Sequence, residues 1–515
     1  MVSQMIAGSG TARLCRAAAR EYENSRFYRG LARFFGGLGR KCGESVLLGA
    51  CLREGMLARA WGDSLCCRVL TFLVSLPGLV LGRLYRAFRE KFDESVLMGL
   101  IFEAADGAAL LEGWMLLVLW IIPFDYWDNG YHLMAFAPLL LLLWLRQMRR
   151  GRALRPDRAG LYPLIFAFAV VLAIPLSHYP ALSGRYLRYH VICMICVLLT
   201  VSAPASLRDL KRLAFAGSAV VLVSAVWAVV QRLQGVEIVA SYVDVTMNAG
   251  MPGRVQSYFD NPNTYAQVLV LLLPLAAALM ICAKHTLAKL GALVCLLAGI
   301  LALGMTYSRA SWLGLVAAAG LFLILWKPKL IPPLLVLAVL CIPLLPETIL
   351  NRILTIGSAT SDSTVTSRFP LYQAGAEVLR QSPLTGAGLG GDAVRQYILD
   401  RNIYSLMVYY AHLHNVFLEV WVEDGLLGLL SFLAAMLWGL KSMARGSRRG
   451  APEARILSAA CCAGMAGTLL TGLVDYIWAY PRVMCIFWFV FALGLVSARL
   501  AGEEGSEKEG GVSHV

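Results

Sequence analysis

The sequence predicts an all-helical bundle that crosses a membrane about twelve times and carries one long loop on the far side. Three observations lead there. The 515-residue chain is 58% hydrophobic and only 15% charged, against about 45–50% and about 25% in ordinary soluble domains. Its mean hydropathy is +0.66. Its basic residues gather in short stretches between apolar runs, as expected of loops kept on the cytoplasmic side. The net charge of +14 is therefore read as topology rather than as a footprint for nucleic acid.

Apolar runs place spans near 107–124, 131–145, 161–176, 189–203, 213–231, 264–282, 290–307, 310–326, 330–348, 416–440, 456–474 and 483–498. Several are shorter than the roughly 20 residues a spanning helix needs, so their ends are approximate. Orientation comes from the loops. Arg146 to Arg158, then Arg208 with Lys211 and Arg212, then Lys284 with Lys289, Lys327 with Lys329, and Lys441 to Arg455 all fall on one side. That side is expected to be cytoplasmic, with both termini on it. The opposite side receives 232–263 and 349–413. The second is far longer than an ordinary connector, which suggests a functional loop. Within it LYQAGAEVLR (371–380) reads as helix, and SPLTGAGLGG (382–391) as a break.

Residues 1–106 form a separate basic extension, 107–500 the membrane domain and 501–515 a polar tail. Arg13, Arg16, Arg20, Arg26, Arg29, Arg33, Arg40 and Lys41 alternate with apolar residues, a pattern suited to helices lying on an anionic leaflet. The run at 67–82 contains Pro77 and has basic flanks; it is short for a span and is expected at the interface. ESVLLG (44–49) and ESVLMG (94–99) form a faint repeat. No early apolar segment suggests a secretory signal. The thirteen cysteines fall in apolar runs or in the N-terminal region, where thiols pack as small hydrophobes. The CxxC of Cys193 and Cys196 lies inside such a run, so packing is favoured over redox or metal use.

The informative polar residues are those on the outer side, against the charge bias. Arg254 lies in GRVQSYFDNPNTYAQ, Arg309 in TYSRASWLG, Arg368 in TSRFPLYQA, and His412 and His414 in AHLHNVFLEV. Each has an ordinary alternative. An arginine snorkels to lipid phosphates; Asn263 or Asn415 caps a helix; an interfacial histidine is a polar anchor. Glu423 and Asp424 mark a polar face or a kink before Gly425, or else an intramembrane functional group. Coincidence on one face favours function.

Taken in order, GRVQSYFDNPNTYAQ, TYSRASWLG, SRFPLYQA with SPLTGAGLGG, and HLHNVFLEVWVEDGLLGLL resemble the motif series of the O-antigen ligase and polymerase superfamily. The resemblance covers about 210–495 well, the earlier spans by topology, and not the first hundred or so residues. It implies a glycosyltransferase-C-like helical fold with its site at the outer leaflet, assembling surface polysaccharide of the cell envelope. The donor would be a glycan on undecaprenyl diphosphate; the acceptor, a hydroxyl of another glycan or a lipid. It places catalysis on His414, Arg309 and Arg254, and substrate binding on Arg368, His412, Asn415, Asn261 and Asn263.

The chemistry suits those residue types. Breaking the sugar C1–O bond expels a diphosphate, whose growing charge fixed guanidiniums stabilise. The acceptor alcohol is a weak nucleophile that a positioned imidazole can deprotonate. One direct displacement would invert the anomeric centre. The donor is already activated, so no nucleoside triphosphate or other cofactor is expected, and no GK[ST] phosphate loop is found. No outer cluster has convincing metal-ligand spacing. A transporter of lipid-linked glycan and a non-catalytic scaffold stay open as alternatives. The transporter would more naturally place charges near the midplane on broken helices.

Overall fold

The computed structural model describes residues 60–237, 252–344, 346–354, 368–403, 412–448 and 450–510, with scattered positions between 17 and 55. Most of the basic run from Arg13 to Lys41, the hexapeptide at 44–49 apart from Glu44, and the segments 238–251, 355–367 and 404–411 lie outside the described residues.

The described residues form helices and no strands. Among the described residues, ten helices are long and apolar enough to cross a membrane, and Ala108–Trp120, Leu161–Leu176 and Pro328–Cys341 are shorter apolar helices. This is a multi-pass membrane protein. In chain order the helices are α1 (Leu65–Ala87), α2 (Arg89–Glu94), α3 (Val96–Asp106), α4 (Ala108–Trp120), α5 (Gly130–Arg150), α6 (Leu161–Leu176), α7 (Pro180–Ser202), α8 (Leu207–Gln234), α9 (Pro262–Cys282), α10 (Thr286–Met305), α11 (Arg309–Trp326) and α12 (Ile331–Cys341). Then come α13 (Glu347–Leu354), α14 (Arg368–Gln381), α15 (Gly391–Asp400), α16 (Val416–Gly446), α17 (Pro452–Thr471) and α18 (Pro481–Gly510).

α9, α17 and α18 form the buried centre, whereas α10, α11 and α12 turn most of their surface outward. α9 is apolar on every face, as a helix surrounded by other helices must be. It begins with Asn261 as cap and Pro262 in the first turn, where proline's missing N–H is not needed. Small residues let its neighbours approach. A Cβ at Gly464 would lie 2.4 Å from the Leu271 carbonyl, and one at Gly467 would lie 2.5 Å from that of Gly314. Backbones this close are typical of helix packing in membranes.

The expected basic loop at 146–158 is partly structural. Arg146 is buried and donates to the carbonyls of Ser202 (2.7 Å) and Ala203 (2.8 Å), closing the end of α7, whose last carbonyls have no helical partner. α1 contains the run expected at the interface. By length and composition it is a candidate span, but its contacts gather at the basic end. Trp144 Nε1 donates to Val74 O (2.9 Å), a Cβ at Gly78 would meet Gln147, and one at Gly82 would face Met148. Leu70 and Val74 line a cavity with Pro156 and Ala159. From Leu70 to Gly82, α1 thus packs against the C-terminal part of α5 and the 156–159 turn. α3 adds the Asp106 carboxylate, which pairs with Arg150.

The long loop expected on the outer side is structured in part. LYQAGAEVLR belongs to α14, and the glycine-rich break is docked into a kink of α16. Gly425 has φ 69° and ψ −170° inside α16, a conformation essentially reserved for glycine. The opening is filled by the break: Ala387 N donates to Val422 O (2.7 Å) and Leu426 N to Leu384 O (3.1 Å). A Cβ on Gly425 would sit 2.1 Å from the Leu384 carbonyl. From the other side Ser177 Oγ and His178 N both donate to Ala387 O at 3.3 Å. GAGLGG is therefore a clamp between α16 and the start of α7, and Glu423 and Asp424 are buried beside it.

Candidate active site

Asn415 starts the site because it starts α16. Its Oδ1 accepts from the N–H groups of Phe417 and Leu418 (3.0 Å each), and its Nδ2 donates to Leu473 O (2.9 Å). Val416 N donates to Gly472 O (2.8 Å). The mouth of α16 is thereby tied to the segment after α17. Upstream, Leu413 N donates to the buried Glu419 Oε2 (2.5 Å), so α16 also holds the approach to its own first turn.

Between these fixed points His414 adopts φ 51°, a left-handed conformation that side chains other than glycine rarely take. It persists because its neighbours over-determine it: His414 N donates to His412 Nδ1 (3.2 Å), and Tyr372 OH donates to His414 O (3.4 Å). The two imidazoles meet edge to face, centroids 4.1 Å apart. His414 Nδ1 lies 3.0 Å from Asp475 Oδ1, which also accepts from Tyr476 N at 2.9 Å. With its Nδ1 proton on the carboxylate, His414 keeps Nε2 as the acceptor nitrogen.

Electrostatics support that arrangement. Burial, then the neighbouring His414, push His412 down to about 4, so it is neutral at pH 7. Its neutral tautomer carries the proton on Nε2, since Nδ1 accepts from the backbone. Burial alone would raise Asp475. The His414 hydrogen bond and the charges of His414, Arg368 and His412 outweigh it and hold the carboxyl below its usual range.

Of the residues singled out in the sequence, His412, His414 and Arg368 converge on Asp475. Arg254 belongs to a second cluster. It is buried, its Nε donates to Thr306 O (2.6 Å), and its Nη2 is paired with Asn263 Oδ1. Val255 N donates to Met305 O (3.3 Å). Arg254 therefore knits the 252–261 segment to the corner before α11, with Arg309 as the first residue of that helix. Asn261, not Asn263, caps α9, its Oδ1 accepting from Asn263 N (2.7 Å). The two clusters share the same end of the bundle. α11 packs on α17 near the end that carries Arg309, where a Cβ at Gly314 would meet Thr471, four residues before Asp475.

Sequence reasoning missed Asp475, Tyr372 and Arg482. Arg482 donates to Ile122 O (2.6 Å) and Tyr258 O (2.7 Å) and lies over the Trp127 and Phe259 rings. It fixes the backbone on which the Arg254 segment rests. The only sequence signal for Asp475 was a carboxylate in a short connection between two apolar runs. The expectation that no outer cluster has metal-ligand spacing needs one amendment. His412, His414 and Asp475 present ligand atoms within 4.8 Å of one another, a set suited to a divalent ion. The 3.0 Å hydrogen bond engages one such atom of His414 and one of Asp475.

Residues 291–433 match the family model described as O-antigen ligase. This match supports membership of the O-antigen ligase and polymerase superfamily. Comparison with curated proteins gives no match. The ligase-family segment runs from α10 to just past the kink of α16. It contains Arg309, Arg368, His412, His414 and Asn415, whereas Arg254 and Asp475 lie outside it. A superfamily of this kind points to a glycosyltransferase-like enzyme acting on lipid-linked glycans.

Proposed function

We propose that the protein is a membrane glycosyltransferase that moves a glycan from undecaprenyl diphosphate to a hydroxyl acceptor, as a polymerase or a ligase of surface polysaccharide. The observation that carries this reading is the His414–Asp475 pair at the mouth of a membrane helix, with a guanidinium beside it. His414 Nε2 takes the acceptor's proton as its oxygen attacks C1 of the donor sugar. The new C1–O bond forms, the bond to the diphosphate breaks, and the leaving group departs with the electron pair. Asp475 stabilises the imidazolium that results and fixes the ring's orientation. Arg368, beside the histidines, and Arg309, at the start of α11, meet the charge growing on the diphosphate. The basic loops favour an orientation with this end outside the cytoplasm and both termini inside. No metal is given a step in this scheme.

The test is reconstitution of the purified protein with a defined undecaprenyl-diphosphate oligosaccharide and candidate acceptors. Chain growth identifies a polymerase, and a single transfer to a different acceptor a ligase. Movement of the donor across the bilayer without transfer overturns the proposal in favour of transport. His414→Ala is expected to lower turnover by about two to four decades with donor affinity little changed. Normal turnover in a folded variant ends the base assignment.

A further inference from the structure

We propose that the end of the bundle opposite His414 carries a second ligand site, a pocket that holds the phosphate of an anionic lipid headgroup. A cavity of about 760 Å³ opens there, lined by Arg158, Trp438, Ser442, Arg445, Arg448 and Arg499 among others. It lies between the C-terminal end of α16, the 495–502 stretch of α18 and Arg158 of the 156–159 turn. α16 has 31 residues, so about 45 Å of helix, less a little for the kink, separates its two ends. The pocket is thus no part of the His414 site.

Two of the guanidiniums around the cavity, those of Arg158 and Arg499, are short of acceptors. Four guanidiniums line it. Glu503 is paired with Arg499 Nη1 (3.1 Å), and Asp157, adjacent in sequence to Arg158, is taken by Arg155 at 2.8 and 2.7 Å. Arg158 Nε and both Nε and Nη2 of Arg499 are buried with no hydrogen-bond partner. Buried donors of this kind are costly and call for an acceptor. Burial, and then the charge of Arg499, push the Arg158 guanidinium down to about 10; the two repel each other. A phosphate supplies several acceptor oxygens and negative charge, and guanidiniums fork onto it.

The walls favour a lipid over a free ion. Trp438 and Leu495 make one side apolar. The Trp438 ring lies on Gly160, where a Cβ would be 2.1 Å away, and beside Tyr162 at 6.4 Å between centroids. Trp and Tyr rings at a helix end mark the headgroup level. The neighbouring Leu437 is 57% exposed, which gives an acyl chain apolar surface on α16 next to the pocket. Basic pockets between spanning helices are known to suit such headgroups.

Native mass spectrometry of the full chain from nanodiscs tests this. Discs contain phosphatidylcholine alone or with diphosphatidylglycerol. The anionic lipid is expected to stay bound at least about tenfold better than phosphatidylcholine. Arg445→Gln with Arg448→Gln removes two exposed arginines without emptying a packed site, and is expected to lower retention by about thirtyfold. Arg158→Gln with Arg499→Gln adds the buried donors, with thermal unfolding on the same sample. Equal retention of both lipids, or full retention in the exposed double variant, overturns the proposal. Displacement of the lipid by millimolar inorganic phosphate also overturns it, because the ligand would then be a soluble phosphate. Lipid retention does not depend on glycosyl transfer, so this result stands or falls apart from the proposed activity.

Discussion

Asp475→Asn is the sharpest perturbation of the proposed site. It preserves shape and removes the charge that faces His414 at 3.0 Å. In water the attraction of two unit charges at that distance is slight, and at an effective dielectric of about 20 it is roughly 5 kcal/mol as an upper bound. The carboxylate is mostly buried and the imidazole about a third exposed, so the net value of a charged hydrogen bond, about 1.5–3 kcal/mol, is the better guide. Spent on the imidazolium in the transition state, that is roughly a 10- to 150-fold fall in turnover. Donor affinity should hold, because the guanidiniums remain. The assay is a double-mutant cycle with His414→Ala in the reconstituted system. If Asp475 acts through His414, removing it from the alanine background costs little further. Full turnover in Asp475→Asn, or the same fold-loss with and without His414, refutes the pairing.

Arg309→Ala is expected to lower transfer by about 10²–10³ while leaving the fold intact, and Arg309→Lys to recover little, since an ammonium cannot reproduce the planar fork. Arg254→Ala should reduce folded protein as well as transfer, because it strips the Thr306 carbonyl and the Asn263 side chain of their donor; yield and thermal unfolding measured alongside turnover check this. Gly425→Ala cannot keep the loop docked in the kink and should destabilise it by roughly 1–3 kcal/mol, seen as faster hydrogen exchange at 384–390 and a fall in transfer; unchanged exchange would contradict the clamp. His412 is lowered from 6.5 to about 4, so its contribution to the local fold is complete above about 6.5 and erodes as pH falls towards 4. Exchange at the His414 amide should accelerate through that window, and the step attributable to His412 should vanish in His412→Gln.

What the sequence made legible follows the range of the interactions involved. The apolar runs, the helix in LYQAGAEVLR and the break after it are set by composition within a few turns, and the structure has them. The histidine pair was visible because His412, His414 and Asn415 are neighbours in the chain. Asp475 is 61 residues from His414 and has no motif of its own, so only the packing of α17 against α16 could bring it there. The caps show a subtler limit. Asn261-Pro262-Asn263 offers two asparagines, and the proline decides between them: with Pro262 in the first turn, the residue before it must be the cap. Asn263 is thereby released to hold Arg254. GAGLGG reads in the sequence only as a break after a helix. Its glycines instead serve a backbone crossing that no local pattern announces.

The arginines change rank once their partners are known. A guanidinium that stabilises a leaving diphosphate must have N–H groups to give. Arg254 gives its Nε to a carbonyl and one Nη to an asparagine, so a large part of its fork is committed before any substrate arrives. The resemblance places Arg368 in substrate binding and not in catalysis, yet its charge reaches Asp475, His412 and Tyr372. It stands at the start of α14, whose Tyr372 donates to the backbone of His414. One helix thus carries both a guanidinium and a support for the strained residue. In the proposed reaction, charge develops on the leaving diphosphate while a proton reaches His414, and the two events must stay in register. Mounting Arg368 and the Tyr372 contact on the same rigid element couples them geometrically, and the glycine clamp that docks the end of α14 against α16 becomes part of the catalytic apparatus rather than a mere connector.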